Sequence, residues 1–139
     1  YIFVRVESAL ILGKIKDEQA VPTLVDQLKI SKETNVQKAC ACALVDIGGD
    51  RASQAIDKSL IFLFPITKIQ VIDALIERGD QRGIAVLVAM LRDIDPEIRK
   101  MSAWVLTKTG EPLLLEQVSI RKEEEEDSEV KEYIKGLLK

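Results

Sequence analysis

The chain has 139 residues, of which 47% are hydrophobic and 31% are charged, and its formal net charge is −3. A chain of this length and apolar content can bury a core, which excludes intrinsic disorder over most of its length. It contains no histidine and only two cysteines, which excludes imidazole acid–base chemistry, histidine metal sites and a disulfide framework. We predict no catalytic residue, no metal and no cofactor.

The first predicted helix lies in the sequence YIFVRVESALILGKI and is apolar almost all round. It lacks the basic leader and the small-residue cleavage site of a signal peptide, and no window of the chain reaches the ~18–20 apolar residues of a membrane span. Together with the free thiols, this favours the cytoplasm and no membrane partner. We expect the first helix to be covered, either by upstream repeats or by self-association with a second copy.

An internal repeat organises the chain. Two columns recur at a spacing of 31 residues, namely Gly48, Gly79 and Gly110, and Leu44, Leu75 and Leu106. With a spacing of 32, the leucine column extends back to Leu12 and forward to Leu138. This period of 31–32 predicts a single repeat array over residues 1–139.

Each repeat contains two predicted amphipathic helices, because its apolar residues recur three and four apart. Helices of the first class run from a branched residue to a glycine and begin at Val4, Val36, Thr67 and Ile98. Shorter helices of the second class begin at Ala20, Ala52, Gly83 and Glu111. Asp95-Pro96-Glu97 predicts a capped helix start, and the repeated glycines predict left-handed helix ends. The sequence therefore predicts an all-α fold.

The first unit, VRVESALILGKIKDEQAVPTL, carries Leu12-Gly13, Ile15, Asp17 and Ala20-Val21-Pro22 in a fixed order. These residues resemble the short HEAT-like repeats of the phycobilisome-lyase type, and the resemblance covers nearly the whole chain. It implies an α-solenoid of about four to five stacked two-helix repeats in a right-handed superhelix, with helices of the first class lining the concave face. The chain departs from the pattern at Gln54, Ala85 and Leu114, where the family has a proline.

A stripe of mixed chemistry follows positions i, i+4 and i+8 of the first-class helices, which is typical of an exposed face. It reads Val6-Leu10-Lys14, Lys38-Cys42-Asp46, Ile69-Asp73-Glu77 and Lys100-Trp104-Lys108. We expect Trp104 on the concave surface between Lys100 and Lys108, since tryptophan beside a cation is a common interface anchor. The alternative is that Trp104 packs against the next repeat as core. The predicted protein-binding residues are Lys38, Asp46, Asp73, Glu77, Lys100, Trp104 and Lys108.

Three local features have mainly structural interpretations. Residues 122–129, KEEEEDSE, predict a solvated acidic loop more than a docking tail for a basic partner. Asp93 and Arg99 predict a contact across a helix–helix turn, as the resemblance implies. Cys42 falls on the stripe, where a small helix residue is the preferred interpretation and a nucleophilic or chromophore-binding role stays open.

The stripe and the resemblance favour a non-enzymatic scaffold that binds a protein or peptide on its concave face. The alternative, which the resemblance also implies, is a phycobilin lyase-like or chaperone-type protein that handles a tetrapyrrole or its carrier protein. Nucleic acid is not an expected partner, because the 20 basic residues are scattered and outnumbered by 23 acidic ones.

Overall fold

A computed structural model describes all 139 residues and confirms the predicted all-α fold. It contains nine α-helices, one short 3₁₀ helix at Glu18–Ala20 and no strand. The helices are α1 (Ile2–Lys14), α2 (Val21–Ile30), α3 (Thr34–Ile47), α4 (Gly49–Phe62), α5 (Pro65–Glu77), α6 (Ile84–Met90), α7 (Pro96–Lys108), α8 (Pro112–Glu124) and α9 (Ser128–Leu137). None of them is long and apolar enough to span a membrane.

The helix boundaries follow the local sequence. Four helices, α2, α5, α7 and α8, have a proline in their first turn, where its missing N–H leaves no hydrogen bond unmade. The Asp95 carboxylate caps α7 by accepting a hydrogen bond of 2.9 Å from the Glu97 backbone N–H. Gly48, Gly79 and Gly110 adopt φ angles of 70°, 81° and 69° where α3, α5 and α7 end. These findings confirm both boundary predictions.

The chain divides into two compact units, Tyr1–Arg82 with α1 to α5 and Gly83–Lys139 with α6 to α9. In the first unit, α3 is central and packs against α1, α2, α4 and α5. In the second unit, α7 has the same role and packs against α6, α8 and α9. A helix of the first class therefore lies at the centre of each unit.

The repeated apolar columns form the cores of the two units. A further column at the same spacing of 31–32 residues is at most 4% exposed, and it consists of Ala9, Ala41, Ile72 and Ala103. Leu44, Leu75 and Leu106 are fully buried, whereas Leu12 in the first repeat is half-buried. Burial of such side chains supplies about 25 cal/mol per Å² of apolar surface, so these columns account for much of the packing energy.

The segment 122–129 is mostly helical, which differs from the acidic loop that the sequence predicts. Helix α8 continues to Glu124 and α9 begins at Ser128, so only residues 125–127 connect them. The Asp127 carboxylate caps α9 by accepting hydrogen bonds from the backbone N–H groups of Glu129 and Val130, at 2.9 and 3.1 Å. Glutamate and lysine are good helix formers, which is why a charged run can extend one helix and begin the next.

Candidate protein-binding site

Trp104 lies in the middle of α7 and is 43% exposed. The ammonium group of Lys108, one turn further along the helix, lies 4.2 Å from the centroid of the Trp104 ring. This distance is within cation–π range, an interaction worth about 0.5–1 kcal/mol at an exposed site. The core of α7 faces the opposite way, through Ala103 and Leu106. Trp104 therefore presents part of its ring to solvent and is not a core residue.

Lys100 connects α7 to α9. Its ammonium group lies 2.6 Å from the Glu97 carboxylate and 3.2 Å from that of Glu129, and its side chain is only 16% exposed. The same ammonium lies 5.8 Å from the ring centroid of Tyr133, which is 40% exposed. The hydrogen bonds to Glu97 and then to Glu129 raise the pKa of Lys100 above its ordinary value.

These contacts define a surface that we call the α7–α9 patch, consisting of Lys100, Trp104, Lys108 and Tyr133. Tyr133 is a member that the sequence analysis missed. One repeat period of 32 before it stands Met101, next to Lys100 of the stripe. Because Met101 is not a stripe position, the repeat register gives no signal for Tyr133.

The other four predicted site residues lie in the first unit. Asp46 forms an ion pair of 3.2 Å with Arg78, and both side chains are about one-third exposed. Lys38 and Asp73 are half-buried, and Glu77 is exposed. The stripe is interrupted here, because Cys42 and Ile69 are 4% and 1% exposed. The first unit thus presents charged groups separated by buried apolar ones.

Both cysteines are free and buried. Burial raises the pKa of Cys40 to about 11, with the Arg5 charge opposing it, and burial likewise raises the pKa of Cys42. The Cys42 sulfur faces the backbone carbonyl of Ala74 on α5 at 3.9 Å. A thiol in this environment is protonated and shielded, which opposes a nucleophilic role. No group of three or more metal-ligating side chains comes together in the structure.

Arg99 reaches across the helix–helix turn, but its partners differ from the expected carboxylate. Its guanidinium donates to the backbone carbonyls of Asp93 and Ile94, at 2.9 and 3.1 Å. The Asp93 carboxylate is engaged elsewhere, accepting from the Asp95 backbone N–H at 2.9 Å. The acid that pairs with Arg99 is Glu125, through two hydrogen bonds of 3.0 Å each. This pair was not identified from the sequence, since 26 residues separate its members.

Paired helices with a period of 31–32 residues define a helical repeat protein of the α-solenoid class. The family model of HEAT repeats matches residues 3–61 and 63–137, which together make up nearly all of the chain. The chain therefore belongs to the HEAT-repeat family. A search of curated proteins finds no match.

Proposed function

We propose that this chain is a non-enzymatic scaffold that binds a protein or peptide through the exposed faces of its first-class helices. HEAT repeats in general form protein-interaction scaffolds. In the family pattern these helices line a concave face, and we place the binding surface there. Free, shielded thiols suit a reducing compartment, and the proposed location is the cytoplasm.

The observation that carries this proposal is the exposure of Trp104. A tryptophan that is 43% exposed on a rigid helix leaves apolar surface in water, and partner binding would remove that cost. Lys108 lies beside the ring within cation–π range, so the anchor combines apolar surface with a positive charge. Tryptophan is also the residue type most enriched among energetically dominant interface positions. The α7–α9 patch is therefore the proposed anchor point.

The remaining predicted site residues are charged and belong to the first unit. Lys38, Asp46, Asp73 and Glu77 give the first unit both signs of charge, which suits a partner with mixed charge. Such groups at the rim of an interface affect specificity and association rate more than affinity. We expect charge changes at these positions to alter the salt dependence of binding, and the loss of Trp104 to alter its strength.

Affinity capture from the source lysate tests the proposal, with Trp104→Ala compared with wild type. The matched control is Leu113→Ala, which removes an apolar side chain that is 75% exposed on α8. If the patch is the anchor, a partner captured by wild type and by Leu113→Ala is reduced at least about tenfold by Trp104→Ala. Equal circular dichroism spectra establish that all three proteins fold. Equal capture by the three folded proteins would exclude the patch.

The same preparation tests the alternative function. A coloured tetrapyrrole that co-purifies with the chain, with a red-shifted visible absorption, would favour the lyase-like assignment over the scaffold. The high pKa and burial of both thiols oppose covalent attachment of such a pigment to this chain.

A further inference from the structure

A second surface lies in the first unit, between helices α2 and α4, well apart in sequence from Trp104. A groove of about 370 Å³ runs between the two helices, with Val25 and Lys29 on one wall and Arg51, Lys58 and Phe62 on the other. It continues into a hollow of about 350 Å³ at the ends of the helices, which shares Lys29 and Phe62. We call the two together the α2–α4 groove.

The far end of the α2–α4 groove is strongly apolar. Ile30 is 67% exposed, Phe62 is 40% exposed and Phe64 is 83% exposed. All three line the hollow or lie beside it at the ends of α2 and α4. Two further side chains, Ile61 at the end of α4 and Ile66 at the start of α5, are 81% and 50% exposed. Contiguous exposed apolar residues of this kind mark interaction sites in soluble proteins.

The charge lining the groove is opposite in sign to that of the chain. Its basic residues are Lys29, Lys32, Arg51 and Lys58, and its one acidic residue is Asp26. None of the four basic side chains forms an ion pair, although Arg78, Arg82, Arg92, Arg99 and Arg121 all do. The Lys29 ammonium lies instead 6.0 Å from the Phe62 ring centroid. Four cations without counterions therefore surround an apolar channel in a chain of net charge −3.

We infer that the α2–α4 groove binds an acidic segment of another protein that carries apolar side chains among its Asp and Glu residues. The apolar channel and exposed phenylalanines would bury the apolar side chains, and the four cations would pair with the carboxylates. Helix α2 has ten residues and is about 15 Å long, which matches roughly five residues of extended chain or three turns of helix.

The shape of the surface favours a polypeptide over the other anionic occupants. A bilayer requires apolar side chains that project beyond a flat cationic surface, whereas here the cations lie along the walls of a concave channel. Nucleic acids are recognised by base-edge hydrogen bonds and stacking platforms, whereas the lining here includes the aliphatic side chains of Val25 and Ala55. An acidic segment with apolar side chains can pair its carboxylates with the basic lining residues and bury its apolar side chains against the apolar ones.

Selection from a displayed library of random 16-residue peptides on the immobilised full chain tests this inference. We expect the enriched peptides to be net negative and to contain two or more aliphatic or aromatic residues. In fluorescence anisotropy, their binding should weaken as salt rises, because exposed ion pairs are screened. Binding should fall at least about tenfold with Lys29→Glu/Lys58→Glu and with Phe64→Ser.

The matched control is Lys14→Glu/Lys16→Glu, which makes the same charge change at exposed positions outside the groove. This control and Trp104→Ala should bind the peptides like wild type, which separates the groove from the α7–α9 patch. The inference is overturned if no peptide is enriched, if the enriched peptides are basic or neutral, or if the groove variants bind as well as the control. It is equally overturned if the groove variants lose only co-sedimentation with phosphatidylserine vesicles, because the occupant is then a membrane. Loss of self-association alone would likewise overturn it, because the occupant is then a second copy.

Discussion

Glu125 is the one charged side chain that is buried, with an exposure of 5%. Its carboxylate accepts two hydrogen bonds from Arg99, a third of 3.3 Å from Arg121, and a fourth of 3.1 Å from the backbone N–H of Asp127. These contacts join the end of α8 to α7 and to the connection before α9. A carboxylate so enclosed stabilises the unit only as long as it carries its charge.

Glu125→Gln should therefore destabilise the protein by about 3 kcal/mol, because it removes the carboxylate that pairs with the largely buried Arg99 and leaves Arg121 only its longer ion pair of 3.7 Å with Glu124. The measurement is the free energy of unfolding in urea. Glu126→Gln is the control, since Glu126 is adjacent but exposed and forms no ion pair. A loss no larger than that of the control would mean that water solvates the arginines adequately.

The pH dependence of stability tests the same cluster. Burial alone would raise the pKa of Glu125, but the hydrogen bonds from Arg99 and Asp127 and the charges of both arginines outweigh it and hold this pKa below its ordinary value of 4.5. The unfolded chain then binds the proton more readily, so the contribution of Glu125 is present above pH 4.5 and is lost as the pH falls further. Wild type and Glu125→Gln should converge in stability at acid pH, whereas a constant difference would contradict the assignment.

At the scale of the helices, the repeat places glycine where a left-handed residue ends the helix, except in the first repeat. One period of 32 before Gly48 stands Lys16, which adopts a φ of 54° directly after α1. This conformation costs a side-chain-bearing residue about 1–2 kcal/mol, and glycine avoids most of that cost. The first repeat therefore keeps the backbone of the pattern without its preferred residue.

Lys16→Gly should raise the free energy of unfolding by about 0.5–1 kcal/mol, which is the strain relieved less the extra entropy of the unfolded chain. Lys14→Gly is the comparison, because Lys14 is the last residue of α1 and has no positive φ, so glycine relieves no strain there and costs up to about 1 kcal/mol. Opposite shifts of the two urea midpoints are expected. A loss of stability in Lys16→Gly would mean that the side chain contributes more than the strain costs.

Packing between helices also requires glycine at one position. A Cβ atom added to Gly13 would lie 2.8 Å from the Cα of Ala43, so α1 and α3 approach too closely for any side chain there. Gly13→Ala should cost about 1–3 kcal/mol through separation of the two helices. Gly136→Ala meets nothing within 4 Å in α9 and should instead stabilise by about 0.5–1 kcal/mol. Thermal unfolding distinguishes the two, and equal shifts would contradict the close approach.

The helices and their core columns were predictable from the sequence because each follows from local periodicity, as Leu44 and Leu75 show. The exposed face was less predictable. The i, i+4 stripe correctly groups Lys38, Cys42 and Asp46 on one side of α3, but it does not reveal that α5 packs over that side at the level of Cys42. Glu125 was missed for a related reason, since its arginine partner is remote in sequence and its neighbours form a run of acids.

At the scale of the whole molecule, ion pairs neutralise some of the acidic residues that give the chain its net negative charge. The acidic run 122–129 contributes Glu124 to Arg92, Glu125 to Arg99 and Glu129 to Lys100, so part of it is neutralised within the second unit. Four cations that form no ion pair, Lys29, Lys32, Arg51 and Lys58, line the α2–α4 groove of the first unit. A chain of net charge −3 therefore has a locally basic groove.

Helix α1 carries the remaining large apolar surface. Phe3, Ile11 and Ile15 lie on a single i, i+4 row in which Glu7 stands between Phe3 and Ile11, and they are 76%, 53% and 63% exposed. Tyr1 and Val4 add further exposed apolar area at the same end. We propose that a second copy covers this row when the 139-residue chain is studied alone, since an exposed row of this size favours association.

Sedimentation velocity should accordingly show an average mass that rises with the concentration of the 139-residue chain. Phe3→Ser/Ile11→Ser should suppress this rise at little cost in stability, because both side chains are mostly in water in the monomer. The control is Ile94→Ser/Leu113→Ser, which removes two apolar side chains, 95% and 75% exposed, from the second unit. A wild-type chain that stays monomeric at every concentration would contradict the proposed association. An equal effect of the two double variants would mean that association does not depend specifically on the row that Phe3 and Ile11 form.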